Sequence, residues 1–247
     1  MSLILPKTFV NCPSRLVAKT AFRPTDIPNL ILWLDGADPN GTGVQPANGT
    51  AIATWTDKSG QGNNVTQSTG ANQPLFQTNQ QNGKPGLTFD GSNDSFTCPA
   101  ALRAIPNGNH TLFIVCKNNG GASQYVIRGA ELGSDRFYFR YEGANTVGFL
   151  NRTGSANGIS IGGVTKTNAN IFTAFLEGTT QSLAVNNGTP TTNASGEYEA
   201  SISSLNISDS FLLNGAVFAI LWFSRSLSDT EKFRLNYYLS NELGIAI

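Results

Sequence analysis

The stretch Asn214–Ile245 reads NGAVFAILWFSRSLSDTEKFRLNYYLSNELGI and joins a strand pattern to a helix pattern. Its first ten residues are mostly apolar and predict a strand. Ser228 then precedes a helical pattern with Glu231 three residues later, which is the spacing of a capping box. A leucine stripe follows at intervals of four residues: Leu235, Leu239 and Leu243. Gly244 is placed to end the helix. The stretch therefore predicts one helix whose apolar stripe packs on a sheet.

Upstream of this stretch, short apolar runs alternate with turn signals. Residues 30–35 (LILWLD) and 86–91 (GLTFDG) predict strands, and residues 110–117 (HTLFIVCK) carry apolar side chains on both faces. Residues 136–141 (RFYFRY) alternate strictly, and residues 187–188 form an Asn-Gly hairpin signal. Strands separated by turns, with no helix between them, predict an antiparallel β-sandwich or jelly roll.

The composition excludes several classes of function. Charged residues are 13% of the chain, against roughly 25% in an average soluble domain. The formal net charge is zero, so no overall field attracts nucleic acid or an anionic membrane. No apolar run approaches the ~20 residues of a membrane span, and no secretory signal is recognisable. The sequence predicts a protein made in the cytoplasm of its host.

The three cysteines, Cys12, Cys98 and Cys116, have no C-x-x-C spacing. This number and spacing indicate neither a disulfide framework nor a zinc site. Cys116 lies in a strand pattern and is most simply a buried thiol. A Cys98–Cys116 pair is the alternative.

Residues 1–28 differ in composition from the rest. They contain four basic residues and one acidic residue, and they are punctuated by four prolines: Pro6, Pro13, Pro24 and Pro28. Proline interrupts helices and central strands. We therefore predict an extended N-terminal arm at 1–28 and a single domain at 29–247. The arm is either a free tail or a segment that orders against a neighbouring subunit.

Residues 55–64 read WTDKSGQGNN and combine an aromatic residue with turn formers. They form either a charged binding loop or a structural corner. The corner assigns a role to each of these residues: Trp55 as a core anchor, Asp57 and Ser59 as acceptors of backbone N–H groups, and Gly60 and Gly62 as positions of positive φ.

Several short blocks, taken in order, carry a resemblance to a known family. They are residues 30–38, 55–64, 72–76, 82–94, 110–117 and 214–245. Together they resemble the laminin-G-like branch of the concanavalin A-like lectins and glucanases over residues 29–247. The resemblance implies a jelly roll of two antiparallel sheets. This fold is often found in carbohydrate-binding modules and in structural proteins of bacteriophages and other viruses, but it does not by itself imply a ligand, since it hosts lectins, hydrolases and structural domains.

Catalytic signatures are lacking in the sequence. Hydrolases of this superfamily need paired carboxylates, and the nearest pattern, Glu197 and Glu199, lacks a third acid. The chain has one histidine, His110, which begins a strand pattern after PNGN and is expected at a loop edge. No G-x-S-x-G or phosphate-loop motif is present. The sequence therefore predicts a protein that is not an enzyme.

The alternation in residues 136–141 suggests a ligand-binding face. If Phe137 and Phe139 point into the core, Arg136, Tyr138 and Arg140 point outward together. Tyr138 would stack on a pyranose ring, and the arginines would hold the carboxylates of an acidic glycan. The alternatives are a solvated outer face and a subunit contact.

No cofactor is predicted. Calcium occurs in parts of the superfamily, and two pairs of acids could contribute ligands to it: Asp90 with Asp94, and Asp35 with Asp38. Hydrogen bonding within Asx turns is the alternative role for all four.

These observations lead to a functional hypothesis. We expect a non-enzymatic structural or adhesion protein of a virus particle, such as a tail, fibre or capsid-decorating protein. Its arm would bind other virion proteins, and its lectin-like domain would face host-surface glycans. A free carbohydrate-binding module or lectin is the alternative, followed by a glycoside hydrolase. Homo-oligomerisation is left open.

Overall fold

A computed structural model describes residues 21–104, 109–121, 123–131, 134–143, 145–151, 158–194 and 202–247. Within these ranges the chain forms two antiparallel eight-stranded sheets, which face each other across a common core, and one α-helix. The predicted all-β sandwich with one C-terminal helix is confirmed.

Sheet A has the strand order β14-β13-β12-β7-β16-β5-β4, and β1 also pairs with β16. Its strands are β1 (Leu30–Asp35), β4 (Leu75–Gln81), β5 (Lys84–Asp90), β7 (His110–Asn118), β12 (Asn170–Glu177), β13 (Thr180–Val185), β14 (Thr191–Ala194) and β16 (Asn214–Phe223). The predicted strand of residues 214–223 therefore lies in the middle of the sheet, hydrogen-bonded to β7, β5 and β1.

Sheet B has the strand order β11-β10-β9-β8-β15-β6-β3-β2. Its strands are β2 (Thr54–Trp55), β3 (Val65–Thr66), β6 (Phe96–Thr97), β8 (Gln124–Glu131), β9 (Ser134–Tyr141), β10 (Val147–Asn151), β11 (Ile159–Ile161) and β15 (Ser204–Ile207). The longest strands, β8 and β9, pair with each other. They form the broad part of this sheet.

Alternating side chains in β7 connect two apolar clusters. Leu112, Ile114 and Cys116 face the core between the sheets. Phe113 and Val115 face the second cluster, which lies between sheet A and the helix. The sequence prediction that both faces of this strand are covered is confirmed.

The core between the sheets is strongly aromatic. Phe137 of sheet B stacks on Trp222 of sheet A at 5.2 Å with an interplanar angle of 7°. Phe139 contacts Phe172 across the same interface, with ring centroids 4.8 Å apart. Burial of large aromatic side chains contributes strongly to the stability of such a core.

The helix α1 (Asp229–Leu243) begins and ends where the sequence predicts. The Ser228 hydroxyl accepts a hydrogen bond from the Glu231 N–H, and the Glu231 carboxylate accepts one from the Ser228 N–H. Gly244 follows with φ 64°. The leucine stripe is buried against sheet A. No helix among the described residues is both long enough and apolar enough to cross a membrane.

Part of the predicted arm packs on the domain. Pro24–Asp26 form a 3-10 turn, and Ile27 is buried in the cluster beneath the helix. The Phe22 ring meets the Tyr238 ring edge-on at 5.9 Å. Tertiary contacts therefore begin before the predicted domain start at residue 29, and residues 1–20 lie outside the described part of the chain.

The turn between β13 and β14 is shifted by one residue from the sequence prediction. Asn186 and Asn187 have φ values of 48° and 59°, and the Gly188 N–H donates to the Val185 carbonyl at 2.9 Å. Asparagine tolerates the left-handed region. The Asn186 side chain also accepts a hydrogen bond from the Ile171 N–H at 2.8 Å. This contact favours Asn186-Asn187 as the turn pair over the predicted Asn187-Gly188.

Cys98 and Cys116 are buried free thiols. The Cys116 sulfur lies 3.3 Å from the Tyr141 hydroxyl. Burial raises the pKa of both thiols to about 12. The alternative of a Cys98–Cys116 disulfide is therefore wrong. Cys12 lies outside the described residues.

Candidate functional site

The outer face of sheet B carries aromatic and arginine side chains centred on Tyr125. The Tyr125 ring lies 5.7 Å from the Tyr138 ring and 6.0 Å from the Phe211 ring. The guanidinium groups of Arg128 and Arg140 lie 5.6 and 5.5 Å from the centre of the Tyr125 ring. Cation–π attraction operates at such distances. We call these five residues the arginine–tyrosine face.

Three neighbours hold Arg140 in place. Its Nε and Nη2 atoms donate to Glu142 Oε1 at 3.2 and 3.1 Å, and its Nη1 donates to the Tyr125 hydroxyl at 3.0 Å. The guanidinium lies 4.5 Å above the Tyr138 ring. Gly148 on the neighbouring strand leaves room for Glu142, because a Cβ there would collide with its carboxylate. A guanidinium has five N–H donors, so two remain after the contacts that Arg140 makes with described residues.

Of the predicted ligand residues, the structure places Tyr138 and Arg140 on the outer face but does not leave them equally open. Tyr138 is 5% exposed and is covered by the guanidinium of Arg140. A sugar approaching this face would reach Arg140 before it reached the Tyr138 ring. The backbone of Arg136 belongs to β9, but its side chain lies outside the described residues.

Sequence reasoning missed Phe211, which is 59% exposed. Nothing in its local sequence marks this residue as part of a site. Its position becomes clear only from the fold, since the Tyr125 N–H donates to the Phe211 carbonyl at 2.9 Å. Arg128 joins the same face, where it forms an ion pair with Asp209 at 3.1 Å.

Residues 55–64 form a tightly hydrogen-bonded corner. Asp57 is 8% exposed, and its carboxylate accepts from the N–H groups of Trp33, Ser59 and Asn63, all at 2.9 Å. The Ser59 hydroxyl donates to the same carboxylate at 2.8 Å, and it accepts from the Gln61 N–H at 3.2 Å. All of these contacts to Asp57 are internal to the fold.

The other residues of the corner have structural contacts as well. Trp55 is fully buried, and its indole N–H donates to the Asp35 carbonyl at 3.0 Å. Gly60 and Gly62 have φ values of 88° and 73°, which glycine adopts without strain. Among the described residues, Lys58 is the one charged side chain of the corner that forms ion pairs with residues outside it.

Lys58 links the corner to two acids at the C-terminal end of β1. Its ammonium lies 2.8 Å from Asp35 and 3.0 Å from Asp38. It also lies 4.9 Å from the centre of the Trp33 ring. Burial lowers the pKa of Lys58, but hydrogen bonds and charge interactions with Asp35 and Asp38 outweigh burial and raise it.

The acidic pairs considered for calcium have other partners. Asp35 and Asp38 bind Lys58. Asp90 accepts from the Ser92 N–H at 2.8 Å, and Asp94 accepts from the Asp90 N–H at 3.0 Å. Burial, together with the charge of Asp90, raises the pKa of Asp94. Among the described residues no group of three or more His, Cys, Asp and Glu side chains is arranged to hold a metal.

His110 is not at a loop edge, and that expectation is wrong. Although it begins β7, its side chain is fully buried and lies among the rings of Phe137, Phe149 and Trp222. Burial lowers its pKa to about 3. Glu197 and Glu199 lie outside the described residues.

Comparisons with known proteins identify the fold. No protein-family model and no curated protein matches the chain. Its structure is similar to that of Trypanosoma rangeli sialidase in complex with sialic acid, with a TM-score of 0.58, 16% identity and 89% of this chain covered. It is also similar to the binding domain of botulinum neurotoxin serotype D, with a TM-score of 0.61, 13% identity and 85% of this chain covered.

A structure of the same neurotoxin domain in complex with N-acetylneuraminic acid gives a TM-score of 0.62 at 12% identity. The chain spans 34% of the sialidase and 51% of the neurotoxin domain. At these identities the similarity establishes the fold alone. This chain therefore has the two-sheet sandwich of the concanavalin A-like lectin fold.

Proposed function

We propose that this chain is a non-enzymatic, lectin-like glycan-binding domain, and that it binds acidic glycans on the arginine–tyrosine face. The observation that carries the proposal is the state of Arg140. Its guanidinium is fixed on aromatic rings and by Glu142, yet two of its N–H donors have no acceptor among the described residues. A fixed, partly unused guanidinium is suited to bind a carboxylate with two parallel hydrogen bonds.

The rest of the face provides the apolar contact that a sugar ring needs. Phe211 is largely exposed, and its ring lies beside Tyr125. A pyranose would place its C–H face on Phe211 while its carboxylate faces Arg140. Glu142 acts as a positioning residue, since its ion pair fixes the guanidinium plane.

The similar structures offer support for the type of ligand. The sialidase structure contains sialic acid, and the neurotoxin domain was observed with N-acetylneuraminic acid. Both ligands are sugars that carry a carboxylate. An acidic sugar would match the chemistry of Arg140 in this chain.

The test compares 3′-sialyllactose with lactose by isothermal titration calorimetry. We expect measurable binding of sialyllactose alone. Because a charge-assisted bidentate contact contributes about 1.5–3 kcal/mol, Arg140→Ala should weaken binding by roughly 10- to 100-fold. Arg140→Lys should recover only part of this loss, since lysine lacks the planar fork.

Arg234→Ala is the matched control, because Arg234 is an exposed arginine stacked on Phe22 at the helix, away from this face. Equal binding of lactose and sialyllactose would contradict the proposal. Unchanged affinity in a folded Arg140→Ala protein would do the same. The non-enzymatic part is tested by incubation with a fluorogenic sialoside, in which release of the fluorophore above background would refute it.

We further propose that this binding takes place on the surface of a virus particle, after synthesis in the host cytoplasm. The support is sequence-based: a basic, proline-punctuated segment at 1–28 precedes a lectin-like domain. This segment would bind other proteins of the particle. Limited proteolysis should cleave it in the isolated protein and leave it intact in the particle, and protection in the isolated protein would count against anchoring.

A further inference from the structure

A concave region lies on the helix side of the molecule, away from the arginine–tyrosine face. It is a cleft of about 760 Å³, within the ~300–1,000 Å³ range of ligand sites. Three parts of the chain form it: residues 21–25, the corner at 56–58 with β1, and the C-terminal half of α1. We call it the helix-side cleft.

Aromatic side chains line this cleft. Trp33, Tyr237 and Tyr238 all line it; Trp33 is 8% exposed, whereas Tyr237 is 57% exposed. Tyr237 stacks on Phe233 at 6.3 Å with an interplanar angle of 20°, and Phe233 is also 51% exposed. The rim of the cleft is thus an exposed apolar surface on the helix, although a surface helix normally presents polar residues to solvent.

Several polar groups around these rings have no partner within the described part of the chain. The side chains of Asn241 and Glu242 form no hydrogen bond or ion pair with any other described residue, and the Arg23 guanidinium forms no ion pair with one. Burial raises the pKa of Tyr238 to about 12, with contributions from Glu242 and Asp35 that Arg23 opposes. These three charges therefore lie around the Tyr238 hydroxyl, which remains protonated and can donate.

The charged side chains that line the cleft carry a net negative charge, with Arg23 and Lys58 against Asp35, Asp57 and Glu242. Lys58 is neutralised by Asp35 and Asp38, and the Asp57 carboxylate is occupied by its internal donors. Among the described residues that line the cleft, Arg23 and Glu242 are the charged side chains without an ion-pair partner. The net negative charge of the lining would repel an acidic saccharide but not a neutral one.

We infer that the helix-side cleft is a second binding site and that its ligand is a neutral oligosaccharide. Saccharides present apolar C–H faces, which pack on aromatic rings, and hydroxyl groups, which pair with amide, carboxylate, guanidinium and phenol groups. The cleft supplies both kinds of partner, and its net negative charge disfavours an acidic saccharide. This inference extends the proposed lectin-like function but does not depend on the arginine–tyrosine face.

A second cavity adjoins the helix-side cleft, which favours a ligand of more than one sugar unit. A smaller cavity of about 180 Å³ shares Trp33, Asp35, Tyr238 and Glu242 with the cleft. It continues towards Lys84 and Pro85 at the start of β5. A linear oligosaccharide would pass along Tyr238 from one cavity to the other.

The test titrates the full chain with maltotetraose, cellotetraose and triacetylchitotriose, followed by calorimetry and tryptophan fluorescence. We expect at least one to bind and to change the fluorescence. The change should disappear in Trp33→Phe, because Trp55 and Trp222 are fully buried in the core. Tyr237→Ala removes a stacking ring, and Glu242→Gln removes a charged hydrogen-bond acceptor. Each substitution should weaken binding about 10-fold.

Phe211→Ala is the matched control, since it removes an equally exposed aromatic ring from the other face. It should leave neutral oligosaccharide binding unchanged and weaken sialyllactose binding, whereas Tyr237→Ala should do the reverse. The inference is overturned if none of the three oligosaccharides binds, or if folded Tyr237→Ala and Glu242→Gln proteins bind as well as the parent. Failure of sialyllactose binding alone would refute the acidic-glycan site and leave this one standing.

Discussion

Asp57 carries more of the fold than any local pattern indicates. Its buried carboxylate joins the corner to β1 through the Trp33 N–H and closes the corner through Ser59 and Asn63. The substitution Asp57→Ala leaves these buried donors without an acceptor. Each such donor costs about 1–3 kcal/mol, so we expect a loss of roughly 3 kcal/mol in the free energy of unfolding.

Urea unfolding measures this loss, with Ser59→Ala as the control that removes a single hydroxyl. That variant should lose about 1 kcal/mol. An Asp57→Ala protein of parental stability would show that the corner is not structural. Loss of oligosaccharide binding with unchanged unfolding would instead identify Asp57 as a ligand residue.

For a single side chain, the sequence predicts which face of the strand it lies on better than it predicts how exposed it is. The alternation of residues 136–141 correctly places Phe137 and Phe139 in the core and Tyr138 and Arg140 on the outer face. It cannot show that Arg140 folds over Tyr138, because that contact depends on Tyr125 and on Glu142. Exposure of a long side chain is decided by such tertiary contacts.

Among the elements, the helix is the one whose ends are most fully determined by local residues. Ser228 and Glu231 cap its first turn, and Arg225 forms an ion pair with Glu231 at 2.6 Å. The hydrogen bond to Arg225 is the main reason that the pKa of Glu231 falls to about 2. Ser228→Ala should reduce the free energy of unfolding by about 1 kcal/mol.

Thermal and urea unfolding of Ser228→Ala would check this value against Thr230→Ala. Thr230 is exposed in the same turn, and its replacement by a better helix former should be neutral or slightly stabilising. Equal effects of the two substitutions would argue that the capping box contributes nothing.

The sequence predicts several of the strands, but it does not predict which strands pair with each other. The runs at residues 30–35, 110–117 and 214–223 each read as strands, and all three meet in sheet A. Their adjacency joins segments that are far apart in sequence, and no local periodicity encodes it. For the same reason His110, which looked like a loop edge, lies between the two sheets.

For the molecule as a whole, His110 predicts how stability depends on pH. Its pKa is about 3 when folded and about 6.5 in an unfolded chain. The unfolded state therefore binds a proton first as the pH falls. The stability present above pH 6.5 is lost progressively between about pH 6.5 and 3, reaching roughly 2 kcal/mol at pH 5.

Urea unfolding at pH 7.5 and pH 5 measures this difference. His110→Gln should be less stable at neutral pH but should show a smaller decline, because glutamine does not titrate. Parallel declines in the two proteins would mean that other groups govern the acid sensitivity.

The helix-side cleft is a property of the whole molecule that sequence reasoning did not reach. Arg23 and Glu242, the charged groups of the cleft without an ion-pair partner among the described residues, lie near opposite ends of this sequence. The sequence of residues 55–64 predicts either a binding loop or a corner. It is a corner by its contacts, and Lys58 within it borders the cleft because β1 and α1 lie beside it.

The central position of β16 has a consequence for how the protein is made. In sheet A, Leu34 of β1 pairs with Ile220 of β16, and Val217 of β16 pairs with Leu87 of β5. The paired strands lie far apart along the chain. Until residues 214–223 have left the ribosome, β5 and β7 keep unpaired edges, which are prone to aggregation. Such non-local pairing also slows folding. We therefore expect the nascent chain to depend on chaperones until β16 has been synthesised and has paired with β5 and β7.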